Sequence, residues 1–266
     1  MNVLDKVMRP SMGAVWITGA SGGIGRSVAL RMAKEGWVVY ASARRLPELE
    51  ELAAEATGSG EIRPLPLDVA DLEATKTAIE TITADMPIAL AILNAGIYTP
   101  MRAVDFDAKT AQRMLRVNLE GITNALDPLL KHMIERKTGH IALTASVAGY
   151  RGLPDAPVYS ATKAGLIAMG EALALDGQDL GIRISVINPG FVETEATSVN
   201  GFQMPFLMQP KQAADAIVNG LKKPGFEIAF PGVFVRILRT IGLLPNRWYI
   251  GFMRRALSWD GTTATR

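Results

Sequence analysis

Short apolar runs alternate with longer stretches of helical periodicity along most of the chain. GAVWIT at 13–18 precedes a helix-patterned segment from Ile24 to Lys34, WVVYAS at 37–42 precedes Pro47 to Ala56, and EIRPLPLDV at 61–69 precedes Leu72 to Ala84. The alternation continues with IALAILNAG at 88–96, a helix around Lys109 to Glu120 running on towards Lys137, and HIALTAS at 140–146. A helix from Ala156 to Asp176, IRISVINPG at 182–190 and EIAFP at 227–231 complete it. Near-continuous apolar strands joined by helix-length crossovers describe a parallel sheet covered on both faces. The pattern therefore predicts an α/β protein with a doubly wound, seven-stranded, Rossmann-like parallel sheet. Pro64 and Pro66 cannot donate ladder hydrogen bonds, so the third strand belongs at an edge. The strand order 3-2-1-4-5-6-7 puts it there.

At 266 residues with 48% apolar composition, one large domain or two small ones would fit. Neither an internal repeat nor a low-complexity linker divides the chain, which favours one domain. Residues 1–232 are expected to form the nucleotide-binding unit, including a substrate lid at 195–211, and residues 233–266 a C-terminal helical extension. The lid is read from Phe202, Met204, Phe206, Leu207 and Met208, an apolar loop just beyond a strand end.

Cysteine is absent, so disulfides and thiolate catalysis are excluded, and His132 and His140 have no companion at metal-ligand spacing. No metal site is expected. The first residues carry no signal-peptide core and no apolar run nears a membrane span, so the expected location is cytoplasmic. The net charge of +2 hides an asymmetry. Residues 223–266 carry seven Lys/Arg against Glu227 and Asp260, leaving 21 against 24 in the rest. Aromatic residues interleaved with this basic tail point to lipid or protein as its partner and away from nucleic acid. In 233–241 the spacing places Phe234, Ile237, Leu238 and Ile241 on one helical face with Arg236 and Arg239 turned away. After Pro245, the run Trp248 to Met253, flanked by Arg247, Arg254 and Arg255, reads as an interfacial amphipathic segment, a cover over the substrate entrance or a subunit contact.

The turn Thr18-Gly19-Ala20-Ser21-Gly22-Gly23-Ile24-Gly25 lies between the first strand and the first helix. There Gly19 permits a tight turn, Gly23 allows backbone to approach a pyrophosphate, and Gly25 allows the helix to pack closely on the strand. The amides of Ser21 through Ile24 are then placed to receive phosphates. The second strand ends in Ala41-Ser42-Ala43-Arg44-Arg45, without the carboxylate that would bind ribose hydroxyls. Arg44 and Arg45, with the Ser42 hydroxyl, suit a 2′-phosphate, so NADP(H) is expected over NAD(H). Asp68 and Val69 end the third strand near the adenine, and Asn94, Ala95 and Gly96 end the fourth beside the ribose.

Tyr159 and Lys163, at i and i+4, share one helical face, thirteen residues and more beyond Ser146. With these motifs the chain resembles the short-chain dehydrogenase/reductase (SDR) family, of the classical type. The resemblance runs from about Gly13 to Pro231 and rests on TGASGGIG, LDV at 67–69, NAG at 94–96, Asn118 in RVNLEG, Ser146 in TASVAG, YSATK at 159–163 and PGFVET at 189–194. One departure is Leu93 where the family usually has a first Asn. The resemblance implies a catalytic tetrad of Asn118, Ser146, Tyr159 and Lys163. Tyr159 is then the general acid in carbonyl reduction, Ser146 polarises the substrate oxygen, and Lys163 lowers the Tyr159 pKa and binds the nicotinamide ribose. Asn118 holds a water that continues the proton relay, while Pro189, Gly190, Val192 and Thr194 frame the nicotinamide carboxamide. Homodimers or homotetramers are implied in the same way.

Ala148, Gly149, Tyr150, Leu153, Pro154, Val158 and Phe191 are the candidate substrate contacts, and they suit a small apolar ketone or secondary alcohol. A 3-oxoacyl thioester, a hydroxysteroid or ketosteroid, and a xenobiotic ketone all stay open, as does a non-enzymatic NADP(H)-binding sensor or scaffold.

Overall fold

The computed structural model describes residues 3–198 and 204–256. Phe202, and residues 257–266 of the extension with Asp260, lie outside the described residues. Seven strands, β1 (Ala14–Thr18), β2 (Val38–Ala43), β3 (Glu61–Pro66), β4 (Ile88–Leu93), β5 (Gly139–Thr144), β6 (Ile182–Pro189) and β7 (Glu227–Phe230), form one sheet. All pairs are parallel, in the order β3-β2-β1-β4-β5-β6-β7. The expected topology is therefore the observed one. Pro64 and Pro66 sit on edge strand β3 opposite Ala41 and Ala43 of β2, so their missing N–H groups interrupt no central ladder.

The sheet is buried on both faces, and the side-chain alternation of β1 shows how. Val15 and Ile17 pack in one apolar layer with Val28 and Met32 of α1 (Gly23–Lys34) and Ile217 of α7 (Pro210–Leu221). Ala14 and Trp16 enter the opposite layer with Ile79 and Ile82 of α3 (Leu72–Asp85), Leu129 of α5 (Gly121–Arg136) and Leu166 of α6 (Pro157–Leu180). α2 (Leu46–Glu55) lies beside β2 and the edge strand β3. Asp71 caps α3 by accepting from the Ala74 amide at 3.0 Å, and Gly181 ends α6 in the left-handed conformation.

The long helix expected around 109–137 is divided. α4 (Ala108–Leu115) passes into a π turn at Arg116–Glu120, which contains Asn118, before α5 begins. A π turn inserts one extra residue per turn and leaves no trace in hydrophobic periodicity. Both histidines serve the frame. His132 Nε2 accepts from the Ile88 amide at 3.2 Å, and buried His140 shares a 2.7 Å hydrogen bond with Ser185.

The extension forms α8 (Gly232–Gly242) and α9 (Asn246–Ala256). Its inner face differs from the expected one: Phe234, Val235 and Leu238 pack inward with Val147 and Phe191, whereas Ile237 is exposed. Arg239 does not turn away either. It pairs with Glu227 and lies 5.3 Å from the centre of the Tyr150 ring. The helix thus presents Val235 to Val147 and Phe191 in the place that periodicity gives to Ile237. Among the described residues no helix is long and apolar enough to cross a membrane.

Candidate active site

The carboxyl ends of the central strands open on a cavity of about 450 Å³. It lies at the point where the strand order reverses between β1 and β4, the crevice in which doubly wound sheets bind ligands. Gly19, Ser21, Gly23 and Ile24 line one end with Arg44, Arg45, Asp68 and Val69. Asn94, Ala95 and Gly96 line its middle, and Ser146, Tyr159, Lys163, Pro189, Gly190, Val192 and Thr194 the other end.

The first turn can only be built from glycine. Gly19 and Gly23 have φ of +68° and +54°, and a Cβ on Gly25 would stand 2.2 Å from the Gly19 carbonyl oxygen. Gly25 therefore does not touch the cavity but lets α1 close on the turn. Asn94 braces the same turn. Its side-chain amide donates to the Thr18 and Gly19 carbonyls at 3.2 and 3.3 Å, and the Asn94 and Ala95 amides donate to Thr18 Oγ1 at 3.0 and 3.1 Å.

At the end of β2, Arg44 is exposed and makes no ion pair among the described residues, while Arg45 reaches Glu48 at 3.1 Å. Ser42 departs from expectation. Its side chain points into the layer beneath the sheet, where its hydroxyl accepts from the Trp16 indole at 2.9 Å, and it does not line the cavity. Strand alternation is the reason: Ser42 shares the face of Tyr40, which enters the layer of Trp16, whereas Arg44 lies beyond the end of β2 at Ala43, where alternation no longer sets its direction.

At the opposite end, Ser146 Oγ accepts from the Ala148 amide at 3.1 Å and donates to the Pro189 carbonyl at 3.4 Å, so both its lone pair and its proton are oriented. Burial raises the Tyr159 phenol above its ordinary pKa, and interaction with the Ser146 hydroxyl pulls it back part of the way. The Tyr98 ring packs edge-on against it, centroids 5.0 Å apart. Lys163, only 3% exposed, donates to the Thr144 carbonyl at 2.8 Å and holds its ammonium 5.5 Å from the centre of the Tyr159 ring. Burial pushes its pKa down to about 8. The expected lowering of the phenol by Lys163 is not found in this geometry: burial raises it, and the group that draws it down is Ser146.

Asn118 is fully buried and does not line the cavity. Its side chain accepts from the Ile97 amide at 2.8 Å and donates to the Ile97 carbonyl at 2.9 Å and to Thr162 at 3.2 Å. It couples the π turn to the loop after β4 and to α6.

These residues fit a nicotinamide dinucleotide. The glycine turn leaves a cradle that any Cβ would obstruct, and Lys163 has three donors against one protein acceptor. Thr144 Oγ1 is buried beside it without a protein partner. Glu195 to Thr197, at the start of the expected lid, also line the cavity, as do Tyr98, Arg113 and Thr144, which are not among the residues expected from sequence. The sequence signal for Tyr98 is its place two residues beyond NAG, and for Thr144 its place as the first residue of TASVAG. Conversely, the expected substrate contacts stand outside this cavity: the Tyr150 hydroxyl bonds to Glu227, Val158 is buried with Met101 and Met114, and Phe191 packs 5.6 Å from Phe234.

The family model for short chain dehydrogenase matches residues 13–203. The chain belongs to the short-chain dehydrogenase family. Over 241 residues it is 36% identical to an uncharacterised oxidoreductase of Myxococcus xanthus, covering 90% of this chain and 95% of that one. It is 33% identical over 183 residues to a 3-oxoacyl-[acyl-carrier-protein] reductase of Thermotoga maritima, covering 68% and 74%. A short-chain dehydrogenase from Sphingobium yanoikuyae, solved in complex with NADPH, superposes with a TM-score of 0.75 at 25% identity, covering 96% of this chain and 98% of that one. This short-chain dehydrogenase therefore shares its fold with a relative solved with NADPH bound.

Proposed function

We propose that this protein is an NADP(H)-dependent oxidoreductase that interconverts an apolar ketone and the corresponding secondary alcohol. The observation that carries the reading is the convergence of Ser146, Tyr159 and Lys163 at one end of a cavity whose other end is the glycine turn and Arg44. The bound cofactor supplies or accepts the hydride. In reduction, the Ser146 hydroxyl turns its proton from the Pro189 carbonyl, a long contact of 3.4 Å, to the substrate oxygen, and Tyr159 delivers its proton to that oxygen as negative charge develops there. A phenol whose pKa burial has raised is protonated at neutral pH and therefore ready to act as the acid.

Lys163 presents an ammonium to the ribose hydroxyls and replenishes the phenol proton. Asn118 acts at one remove, holding the π turn against Ile97 and Thr162 so that a water can continue the relay from Lys163. Pro189, Gly190, Val192 and Thr194 orient the nicotinamide carboxamide. Arg44, with Arg45, binds the 2′-phosphate. The name of the Thermotoga relative favours the reductive direction and a 3-oxoacyl group as one candidate substrate.

In this reading residues 1–232 form the catalytic unit, 195–211 close over the substrate, and 233–266 cover the entrance. A cytoplasmic homodimer or homotetramer pairing along α6, where Leu175 is 73% exposed, completes it. The test is oxidation of NADPH with a panel of apolar ketones and 3-oxoacyl thioesters. Absence of turnover across the panel, with NADPH demonstrably bound, would sink the enzymatic reading.

A further inference from the structure

Beyond β7 the chain changes character. From Ile228 to Ala256 it contains no Asp or Glu, but it carries Arg236, Arg239, Arg247, Arg254 and Arg255. Arg239 is consumed within the fold by Glu227. The other four are exposed and make no ion pair among the described residues. Between them stand Leu243, 86% exposed, Trp248, 62% exposed, and Ile237, Ile250 and Phe252, also exposed.

These side chains are not turned outward by a loose helix pair. Tyr249 is buried and its hydroxyl donates to the Gly152 carbonyl at 2.8 Å. The Arg151 guanidinium lies 4.3 Å from the Tyr249 ring and donates to the carbonyls of Gly242 and Leu244 and to Asn246 Oδ1. With Tyr249 fixed inward, helical geometry turns Arg247, Arg254 and Arg255 outward and sets Trp248 and Phe252, one turn apart and both exposed, along the flank that leads to Arg255.

We infer that the outer face of α8 and α9 docks on an anionic lipid bilayer. A rigid face that combines exposed aromatic and aliphatic groups with unpaired arginines and no acidic residue matches the two layers of such a surface, charged headgroups above and acyl chains below. A second copy of the chain fits poorly, because a two-fold contact sets the same patch against itself and opposes four arginines to four. Nucleic acid would engage the arginines but leave Leu243, Ile250 and Phe252 in water. Because the anchoring residues Arg151 and Gly152 follow closely on Ser146, the docked face would lie on the substrate side of the molecule.

Co-sedimentation of the full chain with phosphatidylcholine vesicles, with and without phosphatidylglycerol, tests the inference. The protein is expected to pellet with the anionic vesicles only, and less so as salt rises. Combining Arg247→Ala, Arg254→Ala and Arg255→Ala should weaken partitioning about a hundredfold, at about fivefold per arginine. Trp248→Ala with Phe252→Ala should abolish it, while thermal melting and NADPH binding stay as in the parent protein. The inference is overturned if the parent chain stays in the supernatant at low salt, or if the variants pellet unchanged. It is equally overturned if sedimentation velocity shows that Trp248→Ala with Phe252→Ala splits an oligomer, since the patch then seats a second copy.

Discussion

Lys163 sits with its ammonium 5.5 Å from the centre of the Tyr159 ring, yet its one protein acceptor is the Thr144 carbonyl at 2.8 Å. The two side chains are thus neighbours that do not bond to each other. Both are shifted by burial in the direction that disfavours charge, the phenol upward and the ammonium downward to about 8. An acid that keeps its proton and a cation near its titration point together make a donor pair suited to neutral pH.

A pH dependence of cofactor affinity follows. The ammonium form of Lys163 can donate to the ribose, and that form is lost as pH rises through about 8. NADPH affinity should therefore be flat from pH 7 towards 8 and fall above it, by about tenfold or more once the charge is gone, the cost of a charge-assisted hydrogen bond. Fluorescence titration of NADPH between pH 7 and 9.5 measures this. Lys163→Met should bind weakly at every pH and show no such inflection; an inflection that persists in the variant assigns it to another group.

Removing the phenol oxygen separates chemistry from binding. Tyr159→Phe keeps the ring that packs against Tyr98 at 5.0 Å and deletes only the proton donor. Turnover of a ketone is expected to fall by about a hundredfold to ten-thousandfold, the usual worth of a positioned general acid, with the NADPH dissociation constant unchanged. Steady-state kinetics beside a binding titration decides it. A variant that retains most of its kcat would remove Tyr159 from the proton path.

The sheet was legible because its information is redundant: seven apolar runs, the spacing between them and two prolines on β3 all agree on one order. The cavity lining was legible where a motif fixes backbone, as at Gly19, Gly23 and Asn94. What escaped depends on side-chain direction. Ser42 lies two residues before Arg44 but belongs to Trp16, and Asn118 spends its amide on Ile97 and Thr162. The π turn at 116–120 and the packing of Val235 in α8 against Val147 and Phe191 are tertiary outcomes that no periodicity records. Tyr98 reaches the cavity from a position outside any motif, and Thr144 from the first position of TASVAG.

Cofactor choice should rest on Arg44 and not on Ser42. The Arg44 guanidinium is exposed at the cavity rim, whereas the Ser42 hydroxyl is already occupied by the Trp16 indole at 2.9 Å. Arg44→Ala is expected to weaken NADPH by about tenfold or more while leaving NADH nearly unaffected, because only the former has a 2′-phosphate to lose. Ser42→Ala should lower thermal stability slightly and leave the NADPH to NADH preference intact. Paired titrations with both nucleotides measure the ratio; equal losses in Arg44→Ala would refute the phosphate contact.

Lys163 should also tax the fold. Its pKa is about 8 in the folded chain against the ordinary 10.5. Below about 8 the ammonium is present in both folded and unfolded states, and the full penalty of burying it, about 3 kcal/mol, is felt. Between about 8 and 10.5 the folded protein has released the proton while the unfolded chain retains it, so stability rises with pH; above that window the penalty is gone. Lys163→Met removes the charge but strands the Thr144 carbonyl, at a cost of about 1 kcal/mol. The variant is accordingly expected to be more stable than its parent by about 2 kcal/mol at pH 7, raising Tm by about 4–8 °C. That advantage should shrink steadily towards pH 10. Calorimetric melting of both proteins across this range measures it, and a variant less stable than the parent at pH 7 would show that the buried ammonium is compensated by more than one carbonyl.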